Sequence, residues 1–300
     1  MLGKRPLEHF KTANGTIAPT QSVDRWDEGK GARRYPFQPW GVYQGGSIVR
    51  FASLGSGSAG NATLIAAADT CLLLDCGFTI KETVRRLANL GVSPESLTGI
   101  AVTHEHADHA GGVGPLARRF DLPVWATYGT LAMLRDSDLP RITPIHAHRS
   151  LQIGDLEVHP FPVPHDAAEP CQFVFACRDA RLGVLTDTGS ITAHIVSHLR
   201  GCRSLILECN HDADMLRAGP YPPAVQARVA SPYGHLGNHQ AAELLQKLAT
   251  DELDTLLLAH ISGNNNTPEE ALRCVSAALG CAPDWPGVLR QESESDWFEV

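Results

Sequence analysis

No apolar run in this chain approaches the roughly 20 residues that span a bilayer. Met1 to Gly15 also lacks the apolar core of a signal peptide. Surplus positive charge is missing too: the formal net charge is -8, which argues against a surface that coats nucleic acid throughout. The eight cysteines include no C-x-x-C pair, and most sit in apolar strings such as Cys71-Leu72-Leu73-Leu74. They read as small buried hydrophobes in a reducing cytoplasm, not as a disulfide framework. With 43% hydrophobic and 19% charged residues, the chain falls among soluble globular proteins. Its 300 residues suffice for one large domain or two ordinary ones with a sizeable core.

Charge is unevenly spread. Residues 1–46 hold seven Lys/Arg against four Asp/Glu, which leaves the remainder at -11. This stretch has no periodicity; Phe10, Trp26, Tyr35, Phe37, Trp40 and Tyr43 alternate with Arg25, Arg33 and Arg34. It reads as a partly disordered or docked extension, or as a basic stacking arm for single-stranded nucleic acid. The main domain is expected over 47–300.

The most informative stretch is Gly99-Ile100-Ala101-Val102-Thr103-His104-Glu105-His106-Ala107-Asp108-His109-Ala110-Gly111-Gly112. A buried strand runs into metal-ligand side chains, with His104 and His106 two apart and so on one side of extended chain. Three imidazoles and one carboxylate within six residues suit zinc, manganese or iron. Gly111-Gly112 then allows a tight wrap before a helix.

Other elements are placed by pattern. Strands are expected at Ile48–Leu54, Ala62–Ala67, Cys71–Leu74, Gly99–Thr103, Pro123–Thr127, Leu156–Val163, Gln172–Cys177, Leu182–Thr186, Ser204–Glu208 and Thr255–Ala259. A helix capped by Thr79, with Glu82 completing a capping box, should bury Val84, Leu87 and Leu90 before Gly91 ends it. Further helices fit Pro115–Phe120, Asn238–Leu248 and Pro268–Leu279, the last with Thr267 as cap and Gly280 as stop. Gly55-Ser56-Gly57-Ser58-Ala59-Gly60-Asn61 is formally G-x-G-x-x-G, with Asp75 twenty residues beyond Gly55. A dinucleotide fingerprint needs a helix at its third glycine, and here a strand follows, so a wide hairpin is expected. Its backbone and the Ser56, Ser58 and Asn61 side chains could cradle a phosphate. Strands outnumber helices, which favours two mixed sheets with helices outside.

The later strands repeat one theme: each delivers a ligand type at its end. Phe161-Pro162-Val163-Pro164 leads to His165, Gly183-Val184-Leu185-Thr186 to Asp187, and Leu256-Leu257-Leu258-Ala259 to His260. With His104, His106, Asp108 and His109 these make seven candidate ligands, enough for two metals sharing one carboxylate. His9, His146, His148, His159, His194, His198 and His239 carry no catalytic role in this reading; His146 and His148 mimic ligand spacing without an acidic companion.

These residues resemble the metallo-β-lactamase superfamily of dinuclear hydrolases, and its YycJ/WalJ-like branch above all. The strings that carry the branch likeness are Ser53 to Asn61, Pro164-His165-Asp166-Ala167, Thr186-Asp187-Thr188-Gly189, Glu208-Cys209-Asn210-His211-Asp212, Gly234-His235-Leu236-Gly237-Asn238 and Ala259-His260-Ile261-Ser262. They run in order over about residues 48–275; residues 1–46 lie outside. Gly237 and Ala59 depart from the pattern, since the branch usually has Ser at both, and each change removes a hydroxyl near the expected substrate.

The resemblance implies an αββα sandwich, an α/β four-layer fold with the site along one sheet edge. It implies one metal on His104, His106 and His165, a second on Asp108, His109 and His260, and Asp187 between them. Asp75 would orient a ligand imidazole. Two divalent ions (zinc, manganese or iron) would lower the pKa of a bridging water, so that hydroxide attacks a phosphodiester. His235 is the candidate acid or phosphate clamp, with Glu208 as its partner; Asp108 joins them as an implied catalytic residue. Substrate contacts are expected from Ser56, Ser58, Asn61, His235 and Asn238. The implied activity is a DNA exonuclease in repair, acting from a 5′ end in the cytoplasm. Two other classes compete: a small-molecule hydrolase for a thioester, lactone or cyclic phosphodiester, and a non-catalytic metal scaffold. The acidic net charge favours the former over a nuclease, whereas His235 and Glu208 favour phosphoryl transfer. The full ligand set argues against the scaffold.

Overall fold

The computed structural model describes residues 49–134, 138–248 and 250–300. The stacking arm or docked extension expected in residues 1–46 lies outside the described residues. The first half runs β1 (Arg50–Gly55), β2 (Ala62–Ala67), β3 (Thr70–Leu74), α1 (Ile80–Asn89), β4 (Gly99–Ala101), α2 (Ala107–Ala110), α3 (Val113–Phe120), β5 (Pro123–Thr127), α4 (Tyr128–Met133) and β6 (Arg141–Ile145). The second runs β7 (Leu151–Ile153), β8 (Leu156–Pro162), β9 (Cys171–Cys177), β10 (Ala180–Leu185), α5 (Ala193–Leu199), β11 (Ser204–Glu208), α6 (Ala213–Ala218), α7 (Pro223–Val229) and α8 (Asn238–Leu248). It ends with β12 (Thr255–Ala259), α9 (Pro268–Leu279), β13 (Gly287–Val288) and β14 (Phe298–Glu299).

Among the described residues the strands form two sheets, ordered β14-β1-β2-β3-β4-β5-β6 and β13-β12-β11-β10-β9-β8-β7. Both halves follow one plan. β1, β2 and β3 pair antiparallel and β3 to β6 parallel. Likewise β7 to β10 pair antiparallel and β10 to β13 parallel. Three apolar layers hold this together. Phe51, Leu72, Leu74, Phe173, Phe175 and Ile206 pack between the sheets. Leu73, Leu87 and Leu116 fill the space beneath α1 and α3, and Leu205, Ile195, Leu244 and Val275 that beneath α5, α8 and α9. The run Cys71–Leu74 is unbroken in hydrophobicity because alternate side chains enter different apolar layers, each face of β3 being covered. The result is the expected αββα sandwich.

Most expected elements fall within a residue or two of place. The glycine-rich turn is an antiparallel hairpin between β1 and β2, with no helix after Gly60. One expectation is corrected. α1 is capped by Thr79, which accepts from the Glu82 N–H at 3.4 Å, but it buries Thr83, Arg86 and Leu87, while Val84 and Leu90 stay half-buried. Arg86 turns inward because its guanidinium finds fixed acceptors there. It donates to the Leu54 carbonyl at 2.6 Å, the Gln291 carbonyl at 3.0 Å and Glu82 at 2.7 Å, and it lies 4.2 Å over the Phe78 ring. Arg86 thereby ties α1 to the end of β1 and to the C-terminal segment. Pattern reading also passed over β6, β7, β13, β14, α2, α4, α5, α6 and α7, which are short and lack a full period.

Replacing Arg86 by Leu should strand the Leu54 and Gln291 carbonyls and cost about 2–3 kcal/mol. Urea unfolding of the variant against wild type measures this; an unchanged midpoint would show that water restores those acceptors.

Candidate metal centre

Six strand ends converge on one edge of the sandwich. β3 delivers Asp75, β4 leads to His104, β8 to His165, β10 to Asp187, β11 ends at Glu208 and β12 delivers His260. Asp75, Asp187 and His260 have φ of 60°, 49° and 52°, the left-handed region that non-glycine residues rarely occupy. At all three the chain turns sharply as it leaves a strand. Each such residue costs on the order of 1–3 kcal/mol, strain that concentrates at functional sites.

Two triads match the implied ligand sets. The donor atoms of His104, His106 and His165 lie within 4.8 Å of one another, as do those of Asp108, His109 and His260. Asp187 joins His104 and His109 in one further group, and Glu208, His235 and His260 in another. Asp187 Oδ1 is 2.9 Å from His260 Nδ1 and 3.2 Å from His235 Nδ1, while Oδ2 is 2.8 Å from His109 Nε2. Asp187 is the hub.

The imidazoles are oriented from behind. Asp75 Oδ2 lies 2.8 Å from His109 Nδ1, and Asp75 also accepts from the Thr103 amide at 2.8 Å and the Thr103 hydroxyl at 2.9 Å. His165 Nδ1 donates to the Gly234 carbonyl at 3.0 Å, which leaves the lone pair on Nε2, 3.3 Å from His106 Nδ1. Thr103 Oγ1 sits 2.9 Å from His104 Nδ1. Thr103 and the Gly234 carbonyl were missed by sequence reading. The only available signal was that Thr103 ends the strand feeding His104.

The hairpin residues take a different part from the one expected. Ser56 is buried; its hydroxyl accepts from the His260 amide at 2.9 Å and donates to Asn61 Oδ1 at 3.2 Å. Asn61 Nδ2 donates to the Gly57 carbonyl at 2.9 Å and lies 3.1 Å from His109 Nε2, while its backbone N–H holds the Asp108 carbonyl at 2.7 Å. These two residues brace the cluster, so their polar groups are spent inside rather than offered to a phosphate. Ser58 is exposed. Gly77 is required here: a Cβ would lie 1.8 Å from the Asp108 carbonyl oxygen. Asn238 is corrected likewise. It is buried with both ends of its amide paired to Asn266, at 3.0 and 2.8 Å. At Gly237 the backbone N–H is capped by Gln240 at 2.9 Å. The Ala59 N–H donates to Gln291 at 2.7 Å. Of the residues left without a role, Asn210 donates to the His260 carbonyl at 3.0 Å and Asp212 caps α6.

His235 and Glu208 are brought together, with Nδ1 and Oε1 at 2.8 Å. Glu208 Oε2 also accepts from the Thr188 and Leu236 amides at 3.0 and 3.2 Å, which fixes the carboxylate. Burial opposes charge on His235, but Glu208 and hydrogen bonds to Asp187 and Glu208 outweigh it and push the imidazole up to about 9. His109 is pushed up to about 10, burial again being overcome, here by Asp187 and Asp75. Burial raises Asp187, yet His260 and His109 hold it well below the usual carboxylate range. For His104, burial and neighbouring His109 outweigh the pull of Asp187 and hold the imidazole well below its usual value.

Divalent cations fit this arrangement. His104 Nε2, His260 Nδ1 and Asp187 Oδ2 are buried without a hydrogen-bond partner, an omission native interiors avoid. All three belong to the clusters above. Imidazoles with anchored outer nitrogens and carboxylates around one edge are the donor set of zinc, manganese or iron.

Comparison with known proteins agrees with this geometry. The sequence profile of the beta-lactamase superfamily domain matches residues 70–261. The chain is 36% identical over 237 residues to exodeoxyribonuclease YycJ of Bacillus anthracis, across 77% of this chain and 89% of that one. It is 32% identical over 228 residues to exodeoxyribonuclease WalJ of Streptococcus pneumoniae, across 74% and 85% respectively. Among solved structures, the metallo-beta-lactamase fold protein YhfI of Bacillus subtilis superposes with a TM-score of 0.68 at 17% identity, covering 85% of this chain and 100% of that one. No described helix is long and apolar enough to cross a membrane.

Asp75→Asn keeps the shape but weakens the charge behind His109. It should lower the affinity for one metal equivalent by about 10–100-fold. Competition with a chromophoric chelator reads this out; two unchanged equivalents would show that Asp75 is only a packing residue.

Proposed function

The chain belongs to the beta-lactamase superfamily and is a metal-dependent hydrolase, and from that premise we propose that it is a dinuclear phosphodiesterase: a DNA exonuclease that starts from a 5′ end and serves repair. The observation that carries the phosphodiester reading is the Glu208–His235 pair set against Asp187. The exodeoxyribonuclease names of the two relatives support DNA as the substrate. We take residues 47–300 as the catalytic domain. An overall charge of -8 does not prevent this, because two divalent ions add four positive charges at one spot.

In this proposal His104, His106 and His165 would hold one ion and Asp108, His109 and His260 the other, with Asp187 available to both. The ions supply Lewis acidity, which makes a nucleophile available at neutral pH and offsets charge on the phosphate. The chain's own residues do the rest. Asp75, Thr103 and the Gly234 carbonyl keep the imidazoles in the ligating tautomer. Ser56 and Asn61 hold the His260 and Asp108 backbones in register. Glu208 anchors His235 at Nδ1, so that Nε2 presents a proton to the departing oxygen.

Purified protein with manganese or zinc should shorten end-labelled DNA stepwise from the 5′ end, and Asp187→Ala should abolish this. If no nucleic acid is cut while a thioester, lactone or small phosphodiester is hydrolysed, the small-molecule reading replaces this one.

His235→Ala should slow cleavage by about 10²–10⁴-fold while elemental analysis still finds both metals. Because the raised pKa keeps His235 protonated below about 9, the rate should fall as pH climbs towards that value. Cationic ions nearby move this limb to lower pH. The limb should be absent from the pH–rate profile of the variant; its persistence would assign the proton to another group.

A further inference from the structure

Away from the metal centre, four histidines from three segments gather on the outer side of the second sheet. His194 and His198 stand one turn apart on α5, with ring centroids 4.2 Å apart. His148, in the turn between β6 and β7, brings its ring to 5.5 Å from that of His194. His198 stacks on Phe161 of β8 at 5.0 Å and 27°. His159 precedes Phe161 by two residues and therefore lies on the same face of that strand.

One of these rings is held as metal-binding imidazoles are held. His198 Nδ1 donates to the His194 carbonyl at 2.9 Å, so its proton resides there and Nε2 keeps a lone pair. His159 Nδ1 is 2.7 Å from Ser150 Oγ. Its Nε2 is buried without a hydrogen-bond partner, with the Glu157 carboxylate at 3.6 Å. The carboxylate on that side favours the proton on Nε2, with the Ser150 hydroxyl donating to Nδ1, so His159 borders the patch rather than offering it a lone pair. Burial and neighbouring His198 and His148 lower the pKa of His194. Burial, with Arg181 and His198, also lowers that of His159 against the pull of Glu157. Neutral imidazole is the ligating form.

We propose that this patch is a peripheral metal site, separate from the catalytic centre. It takes one borderline transition cation, such as zinc, nickel or copper(II), on His194 and His198, with His148 as a further donor. Imidazoles select such ions over magnesium and calcium, which require oxygen ligands. His148 and His194 are exposed, and exposed side chains change rotamer within nanoseconds, so neither ring is locked in its metal-free arrangement. A bound ion would tie α5 to the turn after β6.

The test uses the untagged full chain loaded with its resident metals and dialysed against low-micromolar free zinc. Wild type should retain one more equivalent than the H194A/H198A double variant, and copper(II) added at this site should show nitrogen hyperfine splitting that the double variant loses. Added zinc should raise the melting temperature of wild type alone, and hydrolytic activity with resident metals only should be equal in both proteins. Equal stoichiometry in the two proteins, or extra binding that needs millimolar zinc, would overturn the proposal.

Discussion

The constraint on which the molecule depends is the burial of charge at the edge of the sandwich. Asp75, Asp187 and Glu208 are almost wholly withdrawn from water, as are His104, His109 and His260. Carboxylates in such a place are costly unless something positive sits against them. The imidazoles answer this in part by holding protons, which is why His109 and His235 are shifted up to about 10 and about 9. A divalent cation answers it more fully, because it also engages the nitrogen and oxygen atoms that are left without hydrogen bonds. Charge balance and metal affinity are two aspects of one design.

The architecture explains how so many polar groups reach one spot. In each half of the chain an antiparallel meander passes into parallel strands. Parallel neighbours end together, so β3 with β4, and β10 with β11 and β12, bring their carboxyl ends to the same edge. Apolar packing on both faces of each sheet makes those ends rigid. Rigidity is what lets Asp75, Asp187 and His260 persist with left-handed backbone angles. The hairpin between β1 and β2 braces the cluster through Ser56 and Asn61, and Arg86 binds α1 to the end of the strand that enters that hairpin.

Much of the site was legible because ligand residues follow strands directly in the chain. H-x-H-x-D-H is local, and a histidine or aspartate closing an apolar run can be seen without knowing the fold. Side-chain partnerships between distant segments left no such trace. Ser56 and His260 are 204 positions apart, and Asn61 and His109 are 48. A glycine-rich turn with hydroxyls and an amide looks like a phosphate cradle, and only the packing shows where its hydrogen bonds are spent. Asn238 misled in the same way, since its partner Asn266 comes from the loop before another helix. Arg86 was not among the residues expected to turn inward, yet fixed carbonyl acceptors draw it there.

What the sequence determined by itself was therefore the periodic and the contiguous: short apolar strand runs, capped helices such as α9, and the residue type at each strand end. These follow from local sterics and hydrophobic pattern, which act within a few residues. Tertiary structure alone decided which ends meet, which nitrogen of each imidazole is left free, and which polar side chains brace the site instead of facing substrate. Those outcomes depend on hydrogen bonds and charge balance across long chain separations, and such energies exist only once the two sheets have packed.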